Sequence, residues 1–219
     1  MKLSVDKKVF ENFHGELFVG AIACFDINNT VASAETEEML HDMAEYVRLN
    51  FNADTLKTHH LVSAWKAATA HYGEKFQHYH THIEEMIKHI LAGKHLSSEN
   101  KLADLVHFFS LKYIVPLTAI DLKNVGKKLV FTLHSDDTKN ELVFRDERAI
   151  LVRKFAEAKQ QHHVTEKTSN ALIFVEGVPP LHQEQMSNIL EEVASLVKIF
   201  CGGKTKRIIL TKHKLSAEM

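Results

Sequence analysis

The sequence predicts an α+β fold in one domain, with helices packed on a largely antiparallel sheet. Two observations support this prediction. Amphipathic helical periodicity dominates the first half of the 219-residue chain, whereas short apolar runs typical of strands dominate the second half. No repeat, low-complexity segment or Gly/Ser-rich linker divides the chain, so we expect residues 1–219 to form a single domain.

Four stretches of the first half carry the apolar spacing of amphipathic helices: 35–50, 60–73, 82–92 and about 97–112. Gly73 is expected to end the second helix, because glycine readily adopts the left-handed conformation that closes a helix. Thr81 and Glu84 form a capping-box pattern at the start of the third helix. Ser97 or Ser98 is expected to cap the fourth.

Six apolar or branched runs predict strands: 17–27, 127–134, 141–144, 148–155, 170–177 and 207–212. The first run precedes the helices and indicates a buried strand, and the next three have the spacing of a meander. A long amphipathic helix is predicted at 183–200, and Gly202 and Gly203 directly after it are expected to end it. Helices therefore come mostly before strands, as in α+β proteins.

Composition restricts the classes of function. With 45% hydrophobic and 25% charged residues, the chain is typical of globular proteins. It has no apolar run of about eighteen residues that would span a membrane. The N-terminus has no apolar signal core, so we expect a cytoplasmic protein without membrane contact. Cys24 and Cys201 are too few for a disulfide framework or a zinc ribbon.

The charge distribution leaves one candidate surface for nucleic acid. A net charge of -1, with histidines neutral, argues against a binder that relies on its overall field. Basic residues are nevertheless concentrated near the C-terminus, at Lys204, Lys206, Arg207, Lys212 and Lys214. These side chains either contact RNA or belong to a solvated strand and tail.

Sixteen histidines raise the question of a metal site. His78, His80 and His82 would share one face of a strand, but they straddle the predicted start of a helix and are not expected to converge. His162 and His163 are adjacent, so a strand would turn them to opposite faces. No HExxH sequence or paired-cysteine element is present, and we predict no metal and no cofactor.

Two longer motifs carry more information. The first, NKLADLVHFFSLKYIVPLTAID (100–121), resembles the N-x-x-V-D-x-x-N … P-x-H-x-x-D segment of the phenylalanyl-tRNA synthetase beta subunit. The second, VTEKTSNALIFVEG (164–177), resembles the V-x-x-x-T-x-x-x-L-L-x-E-A strand of the same subunit. Both fall in its editing domain, the fused third and fourth modules, and their order and layout match over roughly residues 1–212. The preceding helices, with Trp65, look more like free-standing proteins built from this domain alone.

The resemblance implies a free-standing aminoacyl-tRNA deacylase that acts in trans, with tRNA as its partner. Such a domain hydrolyses the ester between a wrongly attached amino acid and tRNA. Its chemistry is thought to position a water at an already activated ester, and catalysis by orientation leaves no triad or metal signature in a sequence. We do not expect a complete synthetase, because 219 residues cannot hold an additional ATP-binding catalytic domain.

The resemblance also assigns residues to the substrate site. Glu176 matches the carboxylate that accepts a hydrogen bond from the phenolic hydroxyl of a misattached tyrosine, and Gly177 follows it. A salt-bridged glutamate at a strand end is the structural alternative. Asn100 and Asp104 match polar positions that either contact substrate or order the chain locally. Thr165 and Thr168 are expected to shape the turn that enters the strand.

Three pocket positions depart from the synthetase pattern. His107 replaces an asparagine, Thr118 replaces a histidine, and Val106 replaces a threonine, so a different set of groups lines the implied pocket. We take His107 and Thr118 as the candidate catalytic residues, because His107 could orient water. The alternative is a core histidine bonded to a carbonyl.

The departures leave two other functions open. Gly202 and Gly203 either allow close approach of a ligand or form an ordinary helix cap. If the altered pocket is not catalytic, the chain could be an RNA-binding module that uses Lys204, Lys206 and Arg207. It could also be a sensor that binds a free amino acid.

Overall fold

The computed structural model describes residues 1–30, 33–69, 82–96, 99–123, 125–135, 140–154 and 163–219. Within these ranges the helices are α1 (Lys7–Asn12), α2 (Ala34–Asn50), α3 (Ala53–Thr58), α4 (His60–Thr69), α5 (His82–Leu91), α6 (Lys101–Tyr113) and α7 (Gln183–Cys201). The strands are β1 (Lys2–Val5), β2 (Phe18–Phe25), β3 (Leu117–Asp121), β4 (Lys128–Ser135), β5 (Asn140–Arg145), β6 (Ile150–Arg153), β7 (Ala171–Gly177), β8 (Lys204–Leu210) and β9 (Ser216–Glu218).

The strands form two sheets, which confirms the α+β class and corrects the expectation of a single sheet. The small sheet has the order β3-β7-β2-β8 and is antiparallel throughout. The large sheet has the order β6-β5-β4-β1-β9, and its β1–β4 pair is parallel. The parallel pair was not expected because β1 has only four residues, too few to show a period.

The small sheet lies between the large sheet and a layer of helices. Successive side chains of β7 point to opposite faces. Leu172 and Phe174 pack with Phe144 of the large sheet, and the rings of Phe144 and Phe174 stack with centroids 3.8 Å apart. Ile173 and Val175 instead pack with apolar residues of α6 and α7. Since every residue of β7 is buried, both faces of this central strand are covered.

A third apolar cluster joins α6 to the other helices. Leu40 and Val47 of α2, Leu56 of α3 and Ile87 of α5 pack with Leu111 of α6. The first half of the chain therefore covers α6 on the side that faces away from the small sheet. No described helix has the length and apolar character needed to cross a membrane.

The start of α6 differs from the prediction. Asn100 is its N-cap, and the Oδ1 atom of Asn100 accepts a hydrogen bond from the N–H of Ala103 at 3.0 Å. Asparagine suits this position because its side chain replaces a missing helical acceptor. The positions predicted to cap or end helices at Gly73, Thr81, Ser97 and Ser98 lie outside the described residues.

Candidate functional site

A buried ion pair joins the two sheets. Glu176 continues the alternation of Leu172 and Phe174 on β7, so its side chain enters the space between the sheets, where it is 0% exposed. Lys154 directly follows β6 of the large sheet, and its side chain is 10% exposed. The Nζ atom of Lys154 lies 2.8 Å from Oε2 of Glu176. We call these two residues the intersheet ion pair.

Thr118 completes a small polar cluster around the pair. Lys154 donates a hydrogen bond from Nζ to Oγ1 of Thr118 at 3.2 Å. Thr118 lies opposite Phe174 in the β3–β7 register, which places it on the same face of the small sheet as Glu176. The Lys154 ammonium also lies 5.8 Å from the ring centroid of Phe144. Thr118, Lys154 and Glu176 are called the intersheet cluster below.

The carboxylate of Glu176 is incompletely satisfied. Burial raises the pKa of Glu176, and the adjacent Lys154 charge opposes this shift. The 2.8 Å contact pairs Oε2 of Glu176 with the Lys154 ammonium, whereas Oε1 has no hydrogen-bond partner among the described residues. A buried acceptor without a partner is costly, so this carboxylate is suited to receive a donor from a ligand.

Three histidines interact electrostatically with one another, and His82 also interacts with Lys154 of the intersheet cluster. The rings of His82 on α5 and His107 on α6 have centroids 6.1 Å apart. Burial, and then the His163 charge, lower the pKa of His107. Burial also lowers the pKa of His82, followed by charges on His107, Lys154 and His163. The His82 side chain itself is exposed at the start of α5. We call His82, His107 and His163 the histidine group.

His107 has the properties of a proton acceptor at neutral pH. Its lowered pKa keeps the imidazole neutral, and its buried Nδ1 atom has no hydrogen-bond partner among the described residues. Within the described part of the chain, no three His, Cys, Asp or Glu side chains are arranged to hold a metal ion. His78, His80 and His162 lie outside that part of the chain.

The two sequence motifs meet through a buried amide network at the start of α6. Asn29 donates from Nδ2 to Oδ1 of Asn100 at 2.8 Å and to the carbonyl of Thr165 at 2.9 Å. Asn100 in turn donates to the carbonyl of Val164 at 3.3 Å. Both amides are 1% exposed. Asn100 therefore orders the entry to β7, and no contact in this network joins it to the intersheet cluster.

The acidic residues of the first motif also have structural partners. Asp104 is 1% exposed and accepts a hydrogen bond from the hydroxyl of Thr36 on α2 at 2.9 Å. Asp121 accepts from the hydroxyl of Thr168 at 2.6 Å. The N–H of Thr165 donates to Oγ1 of Thr168 at 2.9 Å, so the two threonines do shape the turn before β7.

Val106 and Gly177 lie on the helical side of the small sheet. Val106 is 5% exposed and packs in the core between α6 and that sheet. A Cβ atom on Gly177 would come within 2.5 Å of Cδ2 of Leu181 and 3.0 Å of Cε of Met186. Close packing against the start of α7 therefore accounts for this glycine. As the next residue along β7, it lies on the face of the small sheet away from the Glu176 side chain.

Gly202 and Gly203 have a conformational role at the end of α7. Gly202 is the C-cap, with φ of 68°, and its N–H donates to the carbonyl of Lys198 at 3.1 Å. Gly203 has φ of 74°, and a Cβ there would lie 2.3 Å from the carbonyl oxygen of Phe25. The close approach at this turn is thus to the backbone of β2.

The basic residues of β8 do not form one face. Lys204 and Lys206 alternate with Arg207, so they point to opposite sides of this edge strand. Arg207 makes an exposed ion pair with Glu191 of α7, with Nη1 and Oε2 3.2 Å apart. Lys206 pairs with Ala23, four residues along β2 from the partner of Glu176, so the two lie on different strands and are offset by roughly 13 Å along the strand direction.

A groove of about 350 Å³ lies elsewhere on the molecule, between α2 and the segment after α5. Its lining consists of Glu37, Leu40, His41, Ala44, Arg48, His95 and Leu96. None of these residues belongs to either sequence motif. The groove and the intersheet cluster are therefore separate features.

Sequence reasoning missed Lys154. The residue lies near the end of the predicted strand 148–155, and nothing in its local pattern distinguishes it from a solvated lysine. Only the pairing of sheets brings its ammonium to Glu176. In the sequence, only Glu176 indicated an ion pair, because a carboxylate on a buried strand requires a partner.

Comparison with known proteins assigns no family. No family model matches the chain. A protein from Bacillus subtilis (strain 168), described as "Uncharacterized protein YhzB", is 23% identical over 142 residues. The aligned part covers 65% of this chain and 67% of that protein. A similarity at this level indicates a remote relative and assigns no activity.

Proposed function

We propose that this protein is an aminoacyl-tRNA deacylase that acts in trans and hydrolyses the ester of a misacylated tRNA. The observation that carries the proposal is the buried, incompletely satisfied carboxylate of Glu176. It occupies the motif position that the editing-domain resemblance assigns to substrate binding. Thr118, which contacts Lys154, and His107 occupy two positions that line the pocket implied by the resemblance.

His107 and the Lys154 side of the intersheet cluster have the chemistry that this proposal requires. Ester hydrolysis of an aminoacyl-tRNA requires a positioned water and a group that stabilises negative charge on the carbonyl oxygen. The neutral imidazole of His107 can accept a proton from that water. The ammonium of Lys154 supplies positive charge in a site with little solvent. No metal ion is required for this chemistry.

The deciding experiment is a deacylation panel with the full chain and tRNAs charged with different amino acids. We expect at least one mischarged tRNA to be hydrolysed faster than its spontaneous rate. His107→Ala should lower that rate by about 100-fold, as expected for loss of an acid–base group. Glu176→Gln should lower it as well, because the substrate loses a charged partner.

Glu192→Gln is the matched control, because Glu192 is also an ion-paired carboxylate but lies on α7, where it contacts Lys112 and Tyr113. Its hydrolysis rate should equal that of the unaltered protein. If every tRNA in the panel decays only at its spontaneous rate, the protein is not a deacylase.

A second candidate function is the binding of a free amino acid. The specific observation in its favour is the pair of opposite charges 2.8 Å apart, which matches the ammonium and carboxylate of a zwitterion. Calorimetry with a panel of amino acids would show saturable heat that disappears in Lys154→Met. Hydrolysis without measurable binding of free amino acids would favour the deacylase instead.

A further inference from the structure

The intersheet ion pair retains hydrogen-bonding capacity on both partners. The Lys154 ammonium has three N–H donors, and its polar contacts among the described residues are Glu176 and Thr118. One donor is therefore available. On Glu176, Oε2 is paired with Lys154, and Oε1 has no hydrogen-bond partner in the described structure. A ligand that fits the pair must present a donor and an acceptor close together.

The α-amino ester end of an aminoacyl group has this arrangement. Its ammonium nitrogen and its carbonyl oxygen are separated by three bonds. The ammonium donates hydrogen bonds, as Glu176 requires, and the carbonyl oxygen accepts them, as Lys154 requires. We propose that the intersheet ion pair binds this end of the substrate, with the α-ammonium on Glu176 and the ester carbonyl on Lys154. The inference rests on the proposed deacylase function and names the part of the substrate that the site reads.

Charge balance favours this orientation over one in which Glu176 accepts a hydrogen bond from a hydroxyl on the substrate side chain. With the α-ammonium bound, the buried site carries the negative charge of Glu176 and two positive charges, one from Lys154 and one from the substrate. When water attacks, the carbonyl oxygen becomes negative beside Lys154, and the proton that the water loses is held by His107, so the total charge is unchanged while a new pair of opposite charges is brought together. The site is thus electrostatically complementary to the transition state rather than to the bound ester.

The hydrolytic step balances with the groups present. The water oxygen forms a bond to the carbonyl carbon while one water proton passes to Nδ1 of His107. The bond between that carbon and the ribose oxygen then breaks, and His107 returns the proton to the ribose oxygen. The products are the free tRNA hydroxyl and an amino acid, whose carboxylic acid releases a proton to solvent.

The orientation predicts that the site recognises a free α-amino group and does not depend on a side-chain hydroxyl. The test compares an aminoacyl-tRNA that the full chain hydrolyses with the same tRNA after N-acetylation of the amino acid, each corrected for spontaneous hydrolysis. Acetylation removes the α-ammonium charge. We expect the catalysed rate to fall at least about tenfold, the loss for one charge-assisted hydrogen bond.

Two variants separate this orientation from the alternatives. Glu176→Gln should slow hydrolysis of the free-amine substrate about tenfold and that of the acetylated substrate less than about twofold, because only the former uses the carboxylate. Lys154→Met should slow both, since each substrate has an ester carbonyl. Lys123→Met, at an exposed lysine after β3, is the control and should slow neither.

The inference is overturned if acetylation leaves the rate unchanged, or if Glu176→Gln affects tyrosyl-tRNA but spares phenylalanyl-tRNA. Binding of amino acid amides, measured by calorimetry, gives a readout without turnover. Tyrosinamide and phenylalaninamide should bind comparably, and their N-acetyl derivatives should bind at least about tenfold more weakly. If no tRNA is hydrolysed but the amides discriminate in this way, the deacylase proposal fails while the assignment of the pair survives. If the amides do not bind or do not discriminate, the assignment itself is wrong.

Discussion

Lys154 places a buried positive charge between the two sheets, where Glu176 is its counter-ion. A buried pair of this kind adds little net stability when it is intact, because both charges lose their hydration. Removing one partner is much more costly, since the remaining charge is then buried alone. Lys154 therefore matters for stability mainly because its loss would leave the Glu176 carboxylate buried without a counter-ion.

We predict that Lys154→Met lowers the free energy of unfolding by about 3 kcal/mol at pH 7. Without the lysine, burial alone acts on Glu176 and holds its folded-state pKa still further above the unfolded value. The unfolded chain then releases a proton that the folded chain keeps, so the variant should lose stability as pH rises from about 4.5 towards neutrality. Urea denaturation at several pH values measures both effects.

Lys7→Met provides the matched control, because Lys7 pairs with Glu11 across an exposed helical turn. Its loss should cost less than about 0.5 kcal/mol. Equal losses in the two variants would mean that the intersheet ion pair is solvated in solution.

His107 should make the free energy of unfolding fall as pH falls, which is the opposite direction to the effect of Glu176 in Lys154→Met. Its pKa is lowered in the folded protein, so below about pH 6.5 the unfolded chain binds a proton that the folded chain does not. The free energy of unfolding should fall by up to about 1.4 kcal/mol per pH unit from this group alone. His107→Gln should reduce that slope between about pH 6.5 and 5. His213→Gln, at an exposed turn residue, should leave it unchanged.

At the scale of elements, the start of α6 is the junction on which both motifs depend. Asn100 caps α6, accepts a hydrogen bond from Asn29 and donates one to the carbonyl of Val164. One side chain thus ties the helix to the segment that enters β7. Substitution at Asn100 would disturb the helix and leave other buried polar groups without partners.

We predict that Asn100→Ala lowers the free energy of unfolding by about 3 kcal/mol, the sum of a lost cap and an unsatisfied buried amide. Asn52→Ala removes a comparable cap at the exposed start of α3 and should cost only about 1 kcal/mol. Thermal or urea unfolding of the two variants measures the difference. A difference near zero would show that the buried network does not contribute.

The longer elements were predictable and the shortest were not. Helices α2 and α7 have 17 and 19 residues, enough to show an apolar stripe, and their bounds agree with prediction within one residue. Helices α1 and α3 have six residues each, and β9 has three, which is too few for any period to emerge. The pairing of the short strands β1 and β9 in the large sheet depends on tertiary structure.

At the scale of the whole molecule, the proposed tRNA binding would take place on a nearly neutral protein. With a net charge of -1, attraction to tRNA must come from local groups such as those on β8. Lys204 and Lys206 lie on one side of that strand, while Arg207 lies on the other and pairs with Glu191. The three residues are therefore not equivalent.

We predict that replacing Lys204 and Lys206 together by glutamine weakens tRNA binding and reduces the slope of log affinity against log salt by about 1 to 2. Arg207→Gln should change the slope less, because Glu191 already compensates its charge. Filter binding over a range of salt concentrations measures these slopes. If the larger effect belongs to Arg207, the tRNA contacts the α7 side of the small sheet.

The sequence by itself determined the α+β class, the long helices, the buried strand that carries Glu176 and the threonine turn before it. Each of these follows from local periodicity or from turn chemistry within a few residues. Only the tertiary structure decided that the strands divide into two sheets and that Lys154 meets Glu176 between them. The physical reason is that the ion pair depends on how β6 and β7 stack across the sheets, a contact between residues 22 positions apart in the chain that leaves no periodic trace in either strand.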